Sequence, residues 1–256
     1  MARAAVEESD AIVCEDIVID RIGHSGPVRA IDGVTFTLPA GELMCIAGAT
    51  GSGKSTLVGA LAGAADPSIR VAGGAARVCG IPVRHPGRRL RELTYRTGYL
   101  PQNAGALLTP QLTVQEIIAE PILQRERRVN VKALAIRVAT LLDELHLPLG
   151  LATSFPYELS AGMRQRVAIA RSFVLDPNVL IADEPLANLD VEVRPVVFDA
   201  ITRRRKERGM AALLVSNDAA FARELGAETL MIRAGAVVAR GAGSDLLWTP
   251  GAQSGR

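Results

Sequence analysis

The chain has 256 residues, 48% of them apolar and only 4% aromatic, and its 29 basic and 27 acidic residues leave a formal net charge of +2. This is core material for one large domain or two small ones. The near-balanced charge, with no aromatics interleaved among the basic residues, speaks against a nucleic-acid partner. With Ala, Val, Leu and Ile dominant, a parallel sheet covered by helices is expected rather than an aromatic-cored sandwich. Cys14, Cys45 and Cys79 have neither metal-ligand nor disulfide spacing and read as small core residues of a reduced compartment. No run of about 18 apolar residues occurs, and the opening MARAAVEESDAIV carries acids where a signal peptide is apolar. The chain is therefore expected in the cytoplasm, docked on a membrane if it serves one.

In chain order, residues 12–46 alternate short β-type runs with turns. Val34, Phe36 and Leu38 alternate with Thr35 and Thr37, the period of a half-exposed strand. Leu43 to Ala47 is an unbroken apolar run, as in a strand buried on both faces. Residues 71–83 read as further strand and turn. Residues 113–148 are helical in pattern: VQEIIAEPI, expected to break at Pro121, then ALAIRVATLLDELHL, ending before Pro148. Buried strands return as VLIA before Asp183 and AALLV before Ser216. Between them a helix ends in RRRKERG, with Gly209 as its C-terminal cap and the arginines as a solvated face. The terminal TPGAQSGR is expected to fray.

The segment Gly48-Ala49-Thr50-Gly51-Ser52-Gly53-Lys54-Ser55-Thr56 fits G-x-x-x-x-G-K-[S/T] and lies between a buried strand and a helix. Glycines let backbone N–H groups wrap a phosphate, and the helix N-terminus adds a favourable dipole. Lys54 then reaches the outer phosphates and the Ser55 hydroxyl ligates Mg²⁺. A phosphate-bound metal needs an acidic partner, which VLIADEP supplies: Asp183 holds Mg²⁺ through water, and Glu184 polarises the attacking water as general base. A second Ser-Gly turn, in LSAGM at 159–163, precedes another helix start. One chain does not need two such devices, whereas two chains facing head to tail would each close the other's nucleotide.

With these motifs in order, the chain from about residue 12 to about 248 resembles the ATP-binding cassette ATPases. Gly48 to Thr56 resembles Walker A, VLIADEP Walker B, and Gln102 in YLPQN the Q-loop glutamine that contacts Mg²⁺. Ser160, Ala161, Gly162 and Met163 stand where the signature, usually LSGGQ, contacts the partner's ATP. LANLD resembles the D-loop, with its aspartate at Asp190, and Asn217 in VSND stands at the switch histidine. The resemblance implies an α/β fold: a P-loop (RecA-like) core with an antiparallel β subdomain and an inserted α-helical subdomain. It divides the chain into core (12–102 and 173–248), helical subdomain (103–172) and tail (249–256). FPYELSAGMRQRVAIA and PQNAGALLTPQLTVQEIIAEPI are similar to the ATPases of oligopeptide, dipeptide and nickel importers. That group implies ATP and Mg²⁺ as cofactors, a pair of ATPase subunits, two transmembrane permeases seated near 103–125, and an extracytoplasmic solute-binding protein; this chain's departures from the family pattern point to a non-identical second ATPase subunit. The chain would then work peripherally at the cytoplasmic face of the inner membrane. An exporter subunit, a weakly hydrolysing regulatory subunit and a soluble cassette protein of translation or repair are the alternatives; the last usually needs more than 256 residues.

Three departures from the family pattern stand out. Asn217 donates a hydrogen bond but carries no proton or charge, so hydrolysis is expected to be impaired at this chain's own site. Ala161 replaces a glycine, and its methyl is expected to disfavour a left-handed backbone there and weaken the signature. No aromatic precedes Walker A to stack on adenine. Arg21 and His24 are the candidates for that role, since both side chains stack on bases.

Overall fold

The computed structural model describes residues 10–23, 26–126, 128–242 and 247–248. His24 and the tail at 249–256 lie outside the described residues.

In chain order the elements are β1 (Asp10–Gly23), β2 (Gly26–Pro39), β3 (Leu43–Ala47), α1 (Lys54–Leu61), β4 (Ile69–Val78), β5 (Ile81–Pro82), α2 (Leu90–Arg96) and β6 (Thr97–Leu100). Then come α3 (Val114–Leu123), α4 (Val131–Glu144), α5 (Ala161–Phe173), β7 (Val179–Asp183), α6 (Arg194–Arg208), β8 (Ala211–Val215), α7 (Ala219–Glu224), β9 (Glu228–Arg233), β10 (Ala236–Ala242) and β11 (Leu247–Trp248). Four strands form an antiparallel sheet in the order β2-β1-β4-β5. The other seven form a mixed sheet in the order β11-β10-β9-β3-β8-β7-β6, parallel from β9 to β6.

The apolar runs explain why the parallel strands lie in the middle. Successive side chains of a strand point to opposite faces, and here each face meets its own core. Leu43 and Cys45 pack with α3 to α6, while Met44 and Ile46 pack with α1 and the antiparallel sheet. Leu180 and Leu214 repeat the first choice, Ile181 and Leu213 the second. A strand buried on both faces needs no alternation, which is why 43–47, 179–182 and 211–215 read as uninterrupted hydrophobics. β2 faces water on one side, and Val34, Phe36 and Leu38 are buried where the alternation places them.

Two expectations are corrected. Pro121 does not break its helix: α3 runs through it to Leu123. Only two helical residues follow the proline, and its carbonyl accepts a bond from Arg125 Nη1 at 2.9 Å, so the lost N–H matters little so near the end. The arginines of α6 are not simply a solvated face either. Arg204 is 5% exposed. It forks onto both carboxylate oxygens of Glu144 in α4, with its guanidinium carbon 3.9 Å from the centre of the Phe173 ring. Arg208 pairs with Asp176, and Arg205 with Glu42. Gly209 caps the helix in the left-handed region, as its position implied.

Candidate nucleotide site

The order of the parallel strands assembles the site. β3, β8, β7 and β6 lie side by side and point the same way. Their carboxyl ends therefore release four loops along one edge of the sheet, where α/β folds place ligands. β3 leads into the glycine loop, β8 into Ser216 and Asn217, β7 ends at Asp183 with Glu184 next, and β6 leads to Gln102. From the glycine loop, Thr50, Gly51, Gly53, Lys54, Ser55 and Thr56 line a cleft of about 580 Å³. Gln102, Asp183, Glu184 and Asn217 line the same cleft.

The loop's shape depends on its glycines. Gly48 and Gly53 have φ of 149° and 102°, and a Cβ on either would sit 2.0 Å from Ile232 O or 2.2 Å from Ala30 O. No L-side chain fits either place. Gly53 precedes α1, so the helix's first N–H groups open toward the cleft. Ser52 is buried beneath the loop, and its carbonyl accepts from the Gly235 N–H. Lys54 is buried too, and its ammonium donates to Gly48 O at 2.6 Å and Ala49 O at 2.9 Å. The cation thus lies across the loop, held by two of its carbonyls.

Opposite stand two adjacent carboxylates. Burial pushes the Asp183 carboxyl above the usual range, against the Ser55 hydroxyl and the Lys54 charge. Asp183 Oδ2 is buried without a hydrogen-bond partner. An orphaned carboxylate oxygen beside a serine hydroxyl suits Mg²⁺, which takes one or two protein oxygens and completes its shell with water and phosphate. Glu184 is also raised, by burial first and then by the neighbouring Asp183 charge. Its backbone is held in the left-handed region at φ 52°, with its N–H bonded to Val215 O at 2.9 Å. Strained backbone at a carboxylate is a mark of a functional position. Asn217 is exposed, and its Oδ1 accepts the Gly48 N–H at 3.1 Å. That bond assigns the amide oxygen to the glycine loop and leaves the NH₂ free to donate.

A further wall comes from the antiparallel sheet: Arg21 and Ile22 of β1 and Val28 of β2. Among the described residues lining the cleft none is aromatic. Arg21 is steadied by Thr56 Oγ1 at 3.5 Å and by Asp66 at 3.7 Å.

The remaining predicted residues are elsewhere. Ser160 and Ala161 are exposed at the start of α5, Gly162 and Met163 are half-buried there, and none of the four lines the cleft; Asp190 is exposed on its own loop. Ser160 caps the helix by accepting the Met163 N–H at 3.2 Å. The expected strain at Ala161 is absent, because neither Ala161 nor Gly162 has positive φ. The close approach falls on Gly162 instead, where a Cβ would lie 3.1 Å from Asn188 O. The sequence reading missed Gln165, wholly buried in α5. Its signal was its place on the apolar stripe with Ala168, Ile169 and Ser172.

A family model described as ABC transporter matches residues 31–187. The chain belongs to the ABC transporter family. It is 32% identical over 225 residues to the peptidoglycan transport ATP-binding protein YejF of Agrobacterium fabrum, covering 87% of this chain and 40% of that protein. It is 33% identical over 228 residues to the oligopeptide transport ATP-binding protein OppD of Mycobacterium tuberculosis, covering 88% and 36%. The chain thus spans well under half the length of these two ABC relatives. Its fold is that of the ATP-binding cassette MJ0796, solved as a dimer in a post-hydrolysis state bound to ADP and Pi (TM-score 0.82, 24% identity, 90% of this chain and 98% of that one). The cassette cbiO1 of Clostridium perfringens, part of the transporter complex cbiONQ, is also similar (TM-score 0.75, 23% identity, 91% and 88%). Among the described residues no helix is long and apolar enough to cross a membrane.

Proposed function

We propose that the chain binds ATP with Mg²⁺ in the cleft and hydrolyses it as one ATPase subunit of a membrane importer for a peptide-like solute. The observation that carries this reading is the convergence of Lys54, Ser55, Gln102, Asp183, Glu184 and Asn217 on one cleft at the ends of four parallel strands.

In this reading the N–H groups around Gly51 to Thr56 and the Lys54 ammonium hold the β- and γ-phosphates. Ser55, Asp183 and Gln102 would hold Mg²⁺, which when bound neutralises charge on the phosphates. Glu184 takes a proton from the attacking water. Burial and the neighbouring Asp183 charge raise its pKa, which makes it a stronger base than a solvated carboxylate. The Asn217 NH₂ donates toward the terminal phosphate, while its oxygen stays on the Gly48 N–H. Arg21 stacks on the base in place of an aromatic.

Ser160 to Met163, with Ser160 and Ala161 exposed at the start of α5, would close the nucleotide of a second subunit, with Asp190 on the same seam. The peptide-like solute is supported by the relatives' names, among them a putative peptide import ATP-binding protein of Brucella abortus, 31% identical over 225 residues. The permeases would seat against residues 103–125, in the stretch 103–172 that we read as the helical subdomain, at the cytoplasmic face of the membrane. A solute-binding protein outside would act through them. Asn217, without a titratable proton, favours pairing with a non-identical ATPase subunit whose composite site hydrolyses faster.

The test is Mg²⁺-dependent ATP turnover, and import of a labelled peptide, by cells or vesicles carrying the complex. Both are expected to require Glu184 and Lys54. Peptide import that persists without this chain would refute the reading.

A further inference from the structure

The helix that carries Ser160 is also wired to the cleft. Gln165 lies five residues into α5, about 7.5 Å along the axis from Ser160. It is 0% exposed, and it sends neither end of its amide to its own helix. Its Oε1 accepts the Gly105 N–H at 3.2 Å, and its Nε2 donates to Pro185 O at 3.2 Å. A backbone N–H can only donate and a carbonyl can only accept, so these partners fix the amide's orientation.

Both partners stand next to cleft residues. Gly105 follows Gln102 by three residues, and the link is stiff: Ala104 N–H bonds Pro101 O at 3.1 Å and Ala106 N–H bonds Asn103 O at 2.8 Å. A Cβ on Gly105 would lie 2.8 Å from Gln165 N and 3.0 Å from Arg164 C, so this loop rides directly on the backbone of α5. Pro185 follows Glu184, whose own N–H is pinned to Val215 O and whose carbonyl accepts the Ala187 N–H at 3.0 Å. An apolar side chain of the same length would fill the space as well. The amide's contribution is a pair of hydrogen bonds that ties both loops to one side chain of this helix.

We infer that Gln165 is a positioning residue that sets both Gln102 and Glu184 from the position of α5, so that displacement of the Ser160 end reaches this chain's own cleft. The inference rests on the ATPase reading above and goes beyond it. The signature end faces the partner's nucleotide, and Gln165 reports its position to the home site. Loss of either hydrogen bond leaves a buried backbone group unpaired and frees the loop it held. The nucleotide cradle is built from β3 and α1 and is untouched.

The experiment compares wild type, Gln165→Met and Gln165→Glu, each as the full chain in the assembly from which it is isolated. Readouts are kcat for ATP, the Kd of a non-hydrolysable ATP analogue, the thermal midpoint, and hydrogen exchange of the Gly105 amide. The Met variant is expected to lose about tenfold in kcat, the scale of such couplings, with Kd within about twofold and with faster Gly105 exchange. The Glu variant, which keeps an acceptor for Gly105, is expected between Met and wild type. A Met variant with full kcat and only a lower midpoint overturns the inference, as does a loss of kcat matched by an equal loss of affinity. Absence of turnover in wild type instead overturns the ATPase reading, and this inference with it.

Discussion

Two helix starts in this molecule carry a serine and a glycine in their first turn or the residues before it, yet they are built differently. At α1 the lysine is buried, its ammonium already holds two loop carbonyls, and two carboxylates, two amides and two arginines wall the space in front. At α5 Ser160 and Ala161 are exposed, and the serine oxygen is engaged only by its own helix. The same dipole and the same residue types thus make a finished half-site in one place and a bare tip in the other. The difference teaches that phosphate chemistry is set by what surrounds a helix start. The α5 tip lacks those surroundings within this chain and would find them on a second subunit.

The predictions probe this contrast. Glu184→Gln is expected to lower turnover by about 10²–10⁴-fold, the range of a lost general base, while ATP affinity is retained; steady-state kinetics with equilibrium binding checks both. The pH dependence has a definite sign. Glu184 must be ionised to act and its pKa is raised in the free chain, so the acid limb of kcat/KM lies above the usual carboxylate range. The raised pKa also means that the folded state holds this proton more tightly than the unfolded one. Stability from this group is therefore present at low pH and lost as pH rises through the folded pKa, a slope that Glu184→Gln removes. Wild type titrating like an ordinary carboxylate would remove the case for a desolvated cleft.

The joint between α4 and α6 comes next. Glu144→Ala strands the buried Arg204 cation and is expected to cost about 3–5 kcal/mol in urea unfolding, with little change in ATP affinity for the remaining folded protein. Asn217→His should raise turnover by on the order of 10²-fold if the missing imidazole is what slows this site; an unchanged rate would show the amide to be sufficient. The smallest effect is expected from Arg21→Ala, a loss of a few-fold in nucleotide affinity as one stacking cation leaves the wall, about 1 kcal/mol.

What the sequence made legible was local or contiguous. The strands buried on both faces announce themselves as apolar runs, and the loop from Gly48 to Thr56 carries its strand, turn and helix in one stretch. Asp183 and Glu184 were readable because a strand ends there. Features made by distant partners were not readable. Arg204 looked like one more exposed arginine because Glu144 lies 60 residues away. Gln165 looked like a polar residue in a basic helix, since Gly105 and Pro185 lie 60 and 20 residues off. Pro121 carried a true helix-breaking signal, which failed only because the helix was about to end. The concern over a left-handed backbone at Ala161 assumed a turn where the backbone is already helical.

The central claim is that this chain's glycine cradle holds the nucleotide by itself, and that its Ser160 end serves another subunit's. The most direct measurement is the Kd of ATP for the isolated chain, below the concentration at which it associates, with Lys54→Ala and with Ser160→Arg. The account predicts that the lysine variant loses binding, whereas the serine variant binds as wild type and loses turnover only in the assembly. Equal weakening of ATP binding by both variants, or none by Lys54→Ala, would contradict it.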